Sequence, residues 1–116
     1  NLFLRDHKGK RHFLVVIHKD KNADLRDLGE KLGTRLSFSS VERLHKYLGL
    51  EKGSVSPFGV LNDADCAVEV YFDKALATCS SVGVHPNLNT ASLFMTFSEV
   101  VRVVSEHGNR VEFFDA

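Results

Sequence analysis

The sequence predicts an α/β or α+β sheet domain. About six short apolar runs of strand character alternate in mixed order with three amphipathic stretches of helical period, an order that neither a repeat protein nor a helix bundle gives. The chain is 116 residues long, 43% hydrophobic and contains nine phenylalanines. That is the size of one domain with one core, with enough apolar surface to need no disulfide or metal staple.

The elements follow in chain order. Residues 1–6 and 11–18 are apolar runs joined by "HKGK", whose Gly9 suits a tight turn, so they predict a β-hairpin. In "NADLRDLGEKLG", Leu25, Leu28 and Leu32 share one helical face, with Asn22 or Asp24 as N-cap and Gly33 past the end. A brief strand "RLSF" comes next. Ser39 and Glu42 then have capping-box spacing, and Val41, Leu44 and Leu48 make an apolar stripe that stops at Gly49. "FGVLND" and "AVEVYFD" read as strands around a "DADC" turn, and "ASLFMTF" as another strand. Ser98 is the expected cap of a third helix running through Ser105, with Val100, Val101 and Val104 inward, before Gly108 and a last strand "RVEFF".

Charge narrows the function. Fifteen basic and 15 acidic residues cancel, which argues against a protein that coats DNA or a membrane, although contact with one end of a nucleic acid remains open. Cys66 and Cys79 form no CxxC, so reduced thiols are expected, and either could be a nucleophile or an inert structural cysteine. The absence of a long apolar run or opening signal peptide predicts a cytoplasmic protein. No phosphate-cradling glycine motif, HExxH or GxSxG occurs, and His7, His12, His18, His45 and His107 lack metal-ligand spacing and read as surface or half-buried filler. No cofactor and no metal are expected.

Three segments carry candidate chemistry. "RDHKGKRH", residues 5–12, puts Lys8, Lys10 and Arg11 at the hairpin tip; it reads as a solvated turn, with a phosphate contact as the alternative. "KGSVSPFG" is restricted by Gly53, Pro57 and Gly59 and offers Ser54 and Ser56, so it is either a loop entering a strand or the wall of a small pocket. "SVGVHPNLNT", residues 81–90, is nearly free of charge. Pro86 restricts His85 and Gly83 permits unusual dihedrals, so His85 is held. An imidazole titrating near ~6.5 can orient water or a ribose hydroxyl, or simply bond its own loop.

"NLFLRDHKGKRHFLVV", "RLSF", "GSVSPFGVLND" and "VGVHPNLNTASL", in this order and spacing, resemble the YbaK-like, prolyl-tRNA editing domain family. The resemblance is closest to its freestanding alanyl-tRNA(Pro) deacylase branch (ProXp-ala, PrdX). It spans nearly the whole chain and implies the YbaK/ProRS editing fold: a central mixed, largely antiparallel sheet or partly open barrel with short flanking helices. It further implies a trans-editing hydrolase that removes a wrong amino acid, alanine first, from mischarged tRNA(Pro). The partners implied are the acceptor end of that tRNA and prolyl-tRNA synthetase, without DNA or membrane.

Carried over by position, Asn1 matches the asparagine of the family's "KN" pair, and His85 the histidine of its "HPN" loop. Gly83 to Pro86 correspond to the glycine-to-proline loop at the pocket. The catalytic residues implied are His85, Asn1 and Gly83; the substrate-binding ones are Val84, Pro86, Val55, Ser56, Pro57 and Phe58. The lysine of the "KN" pair would precede Asn1. Residues 1–116 are therefore expected to form a single editing-type domain without its N-terminal segment, and a chain starting at Asn1 is expected to lack full activity. Positioning, a placed water and oxyanion stabilisation suffice for an activated aminoacyl ester, with no covalent nucleophile. Val55, Phe58 and Val84 would then exclude larger side chains. The alternatives are a Cys-tRNA(Pro) deacylase of the YbaK type and a non-catalytic module that binds an aminoacyl-tRNA or amino acid.

Overall fold

The computed structural model describes residues 1–17, 24–50, 57–78, 82–84 and 93–114. Strands β1 (Leu2–Asp6) and β2 (His12–Val16) form the expected hairpin, with Leu4 opposite Phe13 and Leu2 opposite Val15. Gly9 (φ 71°) supplies the left-handed turn residue. Asp6 closes the turn, its Oδ1 accepting from the backbone N–H groups of Lys10 at 2.8 Å and Arg11 at 3.2 Å. Burial raises the Asp6 carboxyl pKa, but the N–H groups of Arg11, Lys10 and Gly9 outweigh it, so the group lies below its ordinary value.

Helix α1 (Leu25–Leu32) starts at Asp24, whose side chain caps Arg26 N. It leads to β3 (Leu36–Phe38), which pairs antiparallel with β1. Helix α2 (Val41–Leu48) is capped by Ser40, not Ser39: Ser40 Oγ accepts from Arg43 N at 3.2 Å, while Ser39 Oγ is buried without a hydrogen-bond partner among the described residues. "FGVLND" is not a strand. Pro57–Asn62 coil into a 3₁₀ turn, in which Gly59 passes so close to α2 and its exit that an added Cβ would lie 2.7 Å from Leu50 Cδ1 and 3.0 Å from Leu48 Cβ.

Strand β4 (Val68–Asp73) pairs parallel with β2, then a second 3₁₀ turn (Lys74–Thr78) leads to β5 (Val82–Val84). Thus part of the segment read as a loop is a strand, antiparallel to β6 (Leu93–Met95), with Gly83 opposite Phe94. Helix α3 (Phe97–His107) is capped by Thr96 rather than Ser98, through a full capping box with Glu99, and runs two residues beyond Ser105. Strand β7 (Val111–Phe114) pairs parallel with β4. The main sheet has the order β3-β1-β2-β4-β7 and is open, with two antiparallel and two parallel ladders; β5 and β6 form a separate antiparallel pair. A mixed sheet with short flanking helices is the expected class, and among the described residues the sheet is not closed.

Side-chain alternation divides the core into two layers. Phe3, Leu14, Val16, Val68, Val70 and Phe72 meet α2, α3 and the first 3₁₀ turn on one face. Leu4, Phe13, Val15, Tyr71 and Phe114 meet α1 on the other. None of the helices described is long and apolar enough to cross a membrane.

Candidate functional site

The topology brings several candidate residues to one end of the sheet. Leu2 lies opposite Val15, so Asn1 sits beside the carboxyl end of β2. That end also carries the carboxyl ends of β4 and β7, because Val16 pairs with Phe72 and Asp73 with Phe114. In open α/β sheets, ligands collect beyond the carboxyl ends of parallel strands. Asn1 is exposed as a residue.

From the same end, β4 passes through the 3₁₀ turn Lys74–Thr78 into β5, which carries Gly83 and Val84. The residue that opens this path was missed in the sequence. Asp73 is fully buried at the last position of β4, and its Oδ1 accepts the Ala75 N–H at 3.0 Å. An acid ending a strand pattern immediately before a short helical segment was the available signal. Met95 at the end of β6 packs on the first core layer, anchoring the β5–β6 pair beside α3.

The other expected site residues divide. Pro57 and Phe58 are described and buried; Phe58 belongs to the same core layer as Phe3, two residues from Asn1. They line the molecule from within. Val55, Ser56, His85 and Pro86 lie outside the described residues, as do Cys79 and His18.

Several charged or polar groups fall elsewhere than expected. His12 is no surface filler: it is 2% exposed and forms a three-ring cluster with Phe3, on which it stacks (centroids 5.8 Å apart), and Tyr47, tilted against it at 4.2 Å. Its Nε2 lies 2.9 Å from Arg43 Nη1. A guanidinium only donates, so Nε2 accepts and the imidazole is neutral. Burial lowers its pKa first, and Arg43, Lys46 and Arg5 add to this against Asp6. Arg11 is no free tip cation. It forms a fork with Glu69, Nε to Oε2 and Nη2 to Oε1 both at 2.9 Å, which Arg110 and the Tyr71 hydroxyl join.

Cys66 has φ 51° and places Sγ 3.8 Å from His107 Nδ1. Asn109 Nδ2 donates to Asp63 Oδ2 and Val68 O, so its Oδ1, 2.6 Å from His107 Nδ1, accepts from that nitrogen. The cluster ties the end of α3 to β4. No group of three or more His, Cys, Asp or Glu among the described residues is arranged to hold a metal ion.

A profile of the aminoacyl-tRNA editing domain family matches residues 1–103. Over 110 residues the chain is 54% identical to the prolyl-tRNA editing protein ProX of Acetoanaerobium sticklandii, covering 94% of this chain and 67% of that protein. It is 29% identical to prolyl-tRNA synthetase associated domain-containing protein 1 of Danio rerio, covering 91% of this chain and 59% of that one. Among solved structures, a candidate trans-editing enzyme for prolyl tRNA synthetase superposes with a TM-score of 0.75 at 20% identity, covering 99% of this chain and 68% of that one, and so shares its fold. The chain thus spans about two thirds of ProX and less of the fish protein.

Proposed function

The chain belongs to the aminoacyl-tRNA editing domain family, and from that membership we propose that it is a trans-editing hydrolase that deacylates mischarged tRNA(Pro), with Ala-tRNA(Pro) as its substrate. The observation that carries this reading is the 54% identity, over nearly the whole chain, to a protein named for prolyl-tRNA editing. The convergence of Asn1 and the path to Gly83 on the carboxyl end of the parallel strands supports it.

Water adds to the ester carbonyl, the bond to the ribose oxygen breaks, and that oxygen takes up the proton the water loses. Preorganised donors aimed at the developing oxyanion account for most of such a rate gain. Backbone N–H groups from Gly83 to His85 bind the carbonyl in this mechanism. His85 and Asn1 orient the terminal ribose, and Pro86 fixes the backbone after His85. Val55, Ser56, Pro57, Phe58 and Val84 limit the room for the amino-acid side chain. One methylene changes selectivity by only ~1–3 kcal/mol, so shape has to reject proline. Prolyl-tRNA synthetase is the partner that holds the remainder of the tRNA.

The test is deacylation by the full-length protein of proline tRNA charged with Ala, Cys or Ser. Preferred turnover of the Ala ester is expected; preference for Cys makes the substrate that of the YbaK type, and no turnover on any ester leaves a binding module. His85→Ala is expected to lower kcat/KM on the preferred ester by about 10²-fold, the scale for loss of one transition-state contact. An unchanged rate would remove His85 from the mechanism.

A further inference from the structure

The cations of this neutral chain are distributed unevenly. Arg11, Lys31, Arg102 and Arg110 are each paired with a carboxylate. Arg5, Lys8, Lys10, Arg26, Arg35, Arg43 and Lys46 enter no ion pair among the described residues. Arg26 and Arg35 lie apart, on α1 and just before β3, whereas the other five gather at one place. Arg43 on α2 reaches across to the β1–β2 turn, its Nη1 donating to Gly9 O at 3.0 Å, so its guanidinium lies against the turn that bears Lys8 and Lys10. Lys46 is one helical turn further on, its Nζ 5.3 Å above the ring of Tyr47, which packs tilted against His12. Two acids lie near. Asp6 is buried and occupied by the turn's N–H groups, and Glu42 is exposed on the first turn of α2.

Position adds to charge. Asn1, Phe3 and Arg5 project to one face of β1 by alternation, so the cationic end and Asn1 lie on the same face. They are separated by the length of the strand, about 15–20 Å at ~3.3 Å per residue. A single-stranded 3′ tail bound at Asn1 would bring the first phosphates of the duplex that follows it to such a distance.

We propose that Lys8, Lys10, Arg43 and Lys46 form a phosphate-binding surface for the acceptor-stem backbone of the tRNA whose 3′ end enters the site near Asn1. The surface rests on the deacylase reading only for the identity of the RNA. Its contacts are to phosphates and carry no base specificity, so they fix register and affinity.

The test uses the full-length protein with two variants, Lys8→Glu/Lys10→Glu and Lys46→Glu, all at exposed positions that leave the Arg43 contacts intact. Binding of uncharged proline tRNA is followed against salt. Hydrolysis is followed on charged tRNA and on the same amino acid esterified to a CCA trinucleotide. The double variant is expected to bind tRNA at least about tenfold more weakly near ~0.1 M salt, with a log–log salt slope shallower by about 1–2. Its KM for charged tRNA rises by a similar factor, with kcat and trinucleotide hydrolysis unchanged. Lys46→Glu follows with a smaller effect, and Arg102→Glu on α3 stays within about twofold of wild type on tRNA binding. Wild-type tRNA binding and salt slope in the double variant, or equal loss on both esters, overturns the surface while leaving the deacylase intact. Lost tRNA binding in the variants of a protein that hydrolyses neither ester sustains the surface and overturns the deacylase.

Discussion

The two faces of the sheet are closed by different means. On the first, α2, α3 and the turn Pro57–Asn62 cover β1, β2 and β4 with hydrocarbon, and the buried imidazole of His12 is satisfied by Arg43. On the second, α1 covers β1 and β2, and over β4 and β7 a charged layer finishes the surface: Glu69, its side chain 15% exposed, holds Arg11, Arg110 and the Tyr71 hydroxyl. A helix seals a sheet by excluding water, whereas an ion network tolerates it. The candidate site and the cationic surface both lie at rims of the hydrocarbon-sealed face, Asn1 at one end of β1 and Arg5 at the other, where rigid backing meets solvent.

The comparison predicts unequal costs of damage. Phe72 is fully buried and meets Phe97 edge-on at 5.6 Å and Phe113 at 6.1 Å. Phe72→Ala should lower the unfolding free energy by about 3–5 kcal/mol, read from denaturant midpoints at constant m-value. A loss below about 1 kcal/mol would mean that the layer collapses around the gap and is less rigid than its burial implies. On the other face, Glu69→Gln removes the counter-charge of a bidentate fork that water already reaches, so about 1 kcal/mol is expected, falling further at high salt. A salt-independent loss as large as that of Phe72→Ala would erase the distinction between the faces.

What the sequence made legible follows the same division. The hairpin, the three helices and their glycine ends were visible because local patterns set them: Leu25, Leu28 and Leu32 on one face, and Gly33, Gly49 and Gly108 where the helices stop. The parallel joining of β2 to β4 was invisible, since nothing local encodes register between residues as far apart in sequence as His12 and Val68. "FGVLND" misled because a short, wholly buried apolar run looks alike in a strand and in a 3₁₀ turn; Pro57 and the close passage of Gly59 decide it. Caps slipped by one or two residues because Ser39 and Ser40, or Thr96 and Ser98, offer the same chemistry, and only backbone direction selects between them. At the candidate site, Asn1 and Gly83 drew their significance from motif resemblance, and Asp73 passed as the end of a strand because its role depends on the turn that follows.

The smallest effect needs no substitution in the helices. His12 is held neutral: burial, and then Arg43, Lys46 and Arg5, depress its pKa below the ordinary imidazole value, against the opposing pull of Asp6. The unfolded chain takes up a proton at this residue as pH falls through ~6.5, before the native state does. Stability from this group is therefore complete above ~6.5, declines as pH falls from there toward the depressed native value, and declines no further below it. His12→Phe retains an aromatic ring against Phe3 and Tyr47 but cannot titrate. Denaturation midpoints from pH 7.5 to 5 should accordingly fall more steeply in the wild type than in the variant. Parallel curves would show that Arg43 turns away and lets His12 charge in place, and the first face would then be no drier than the second.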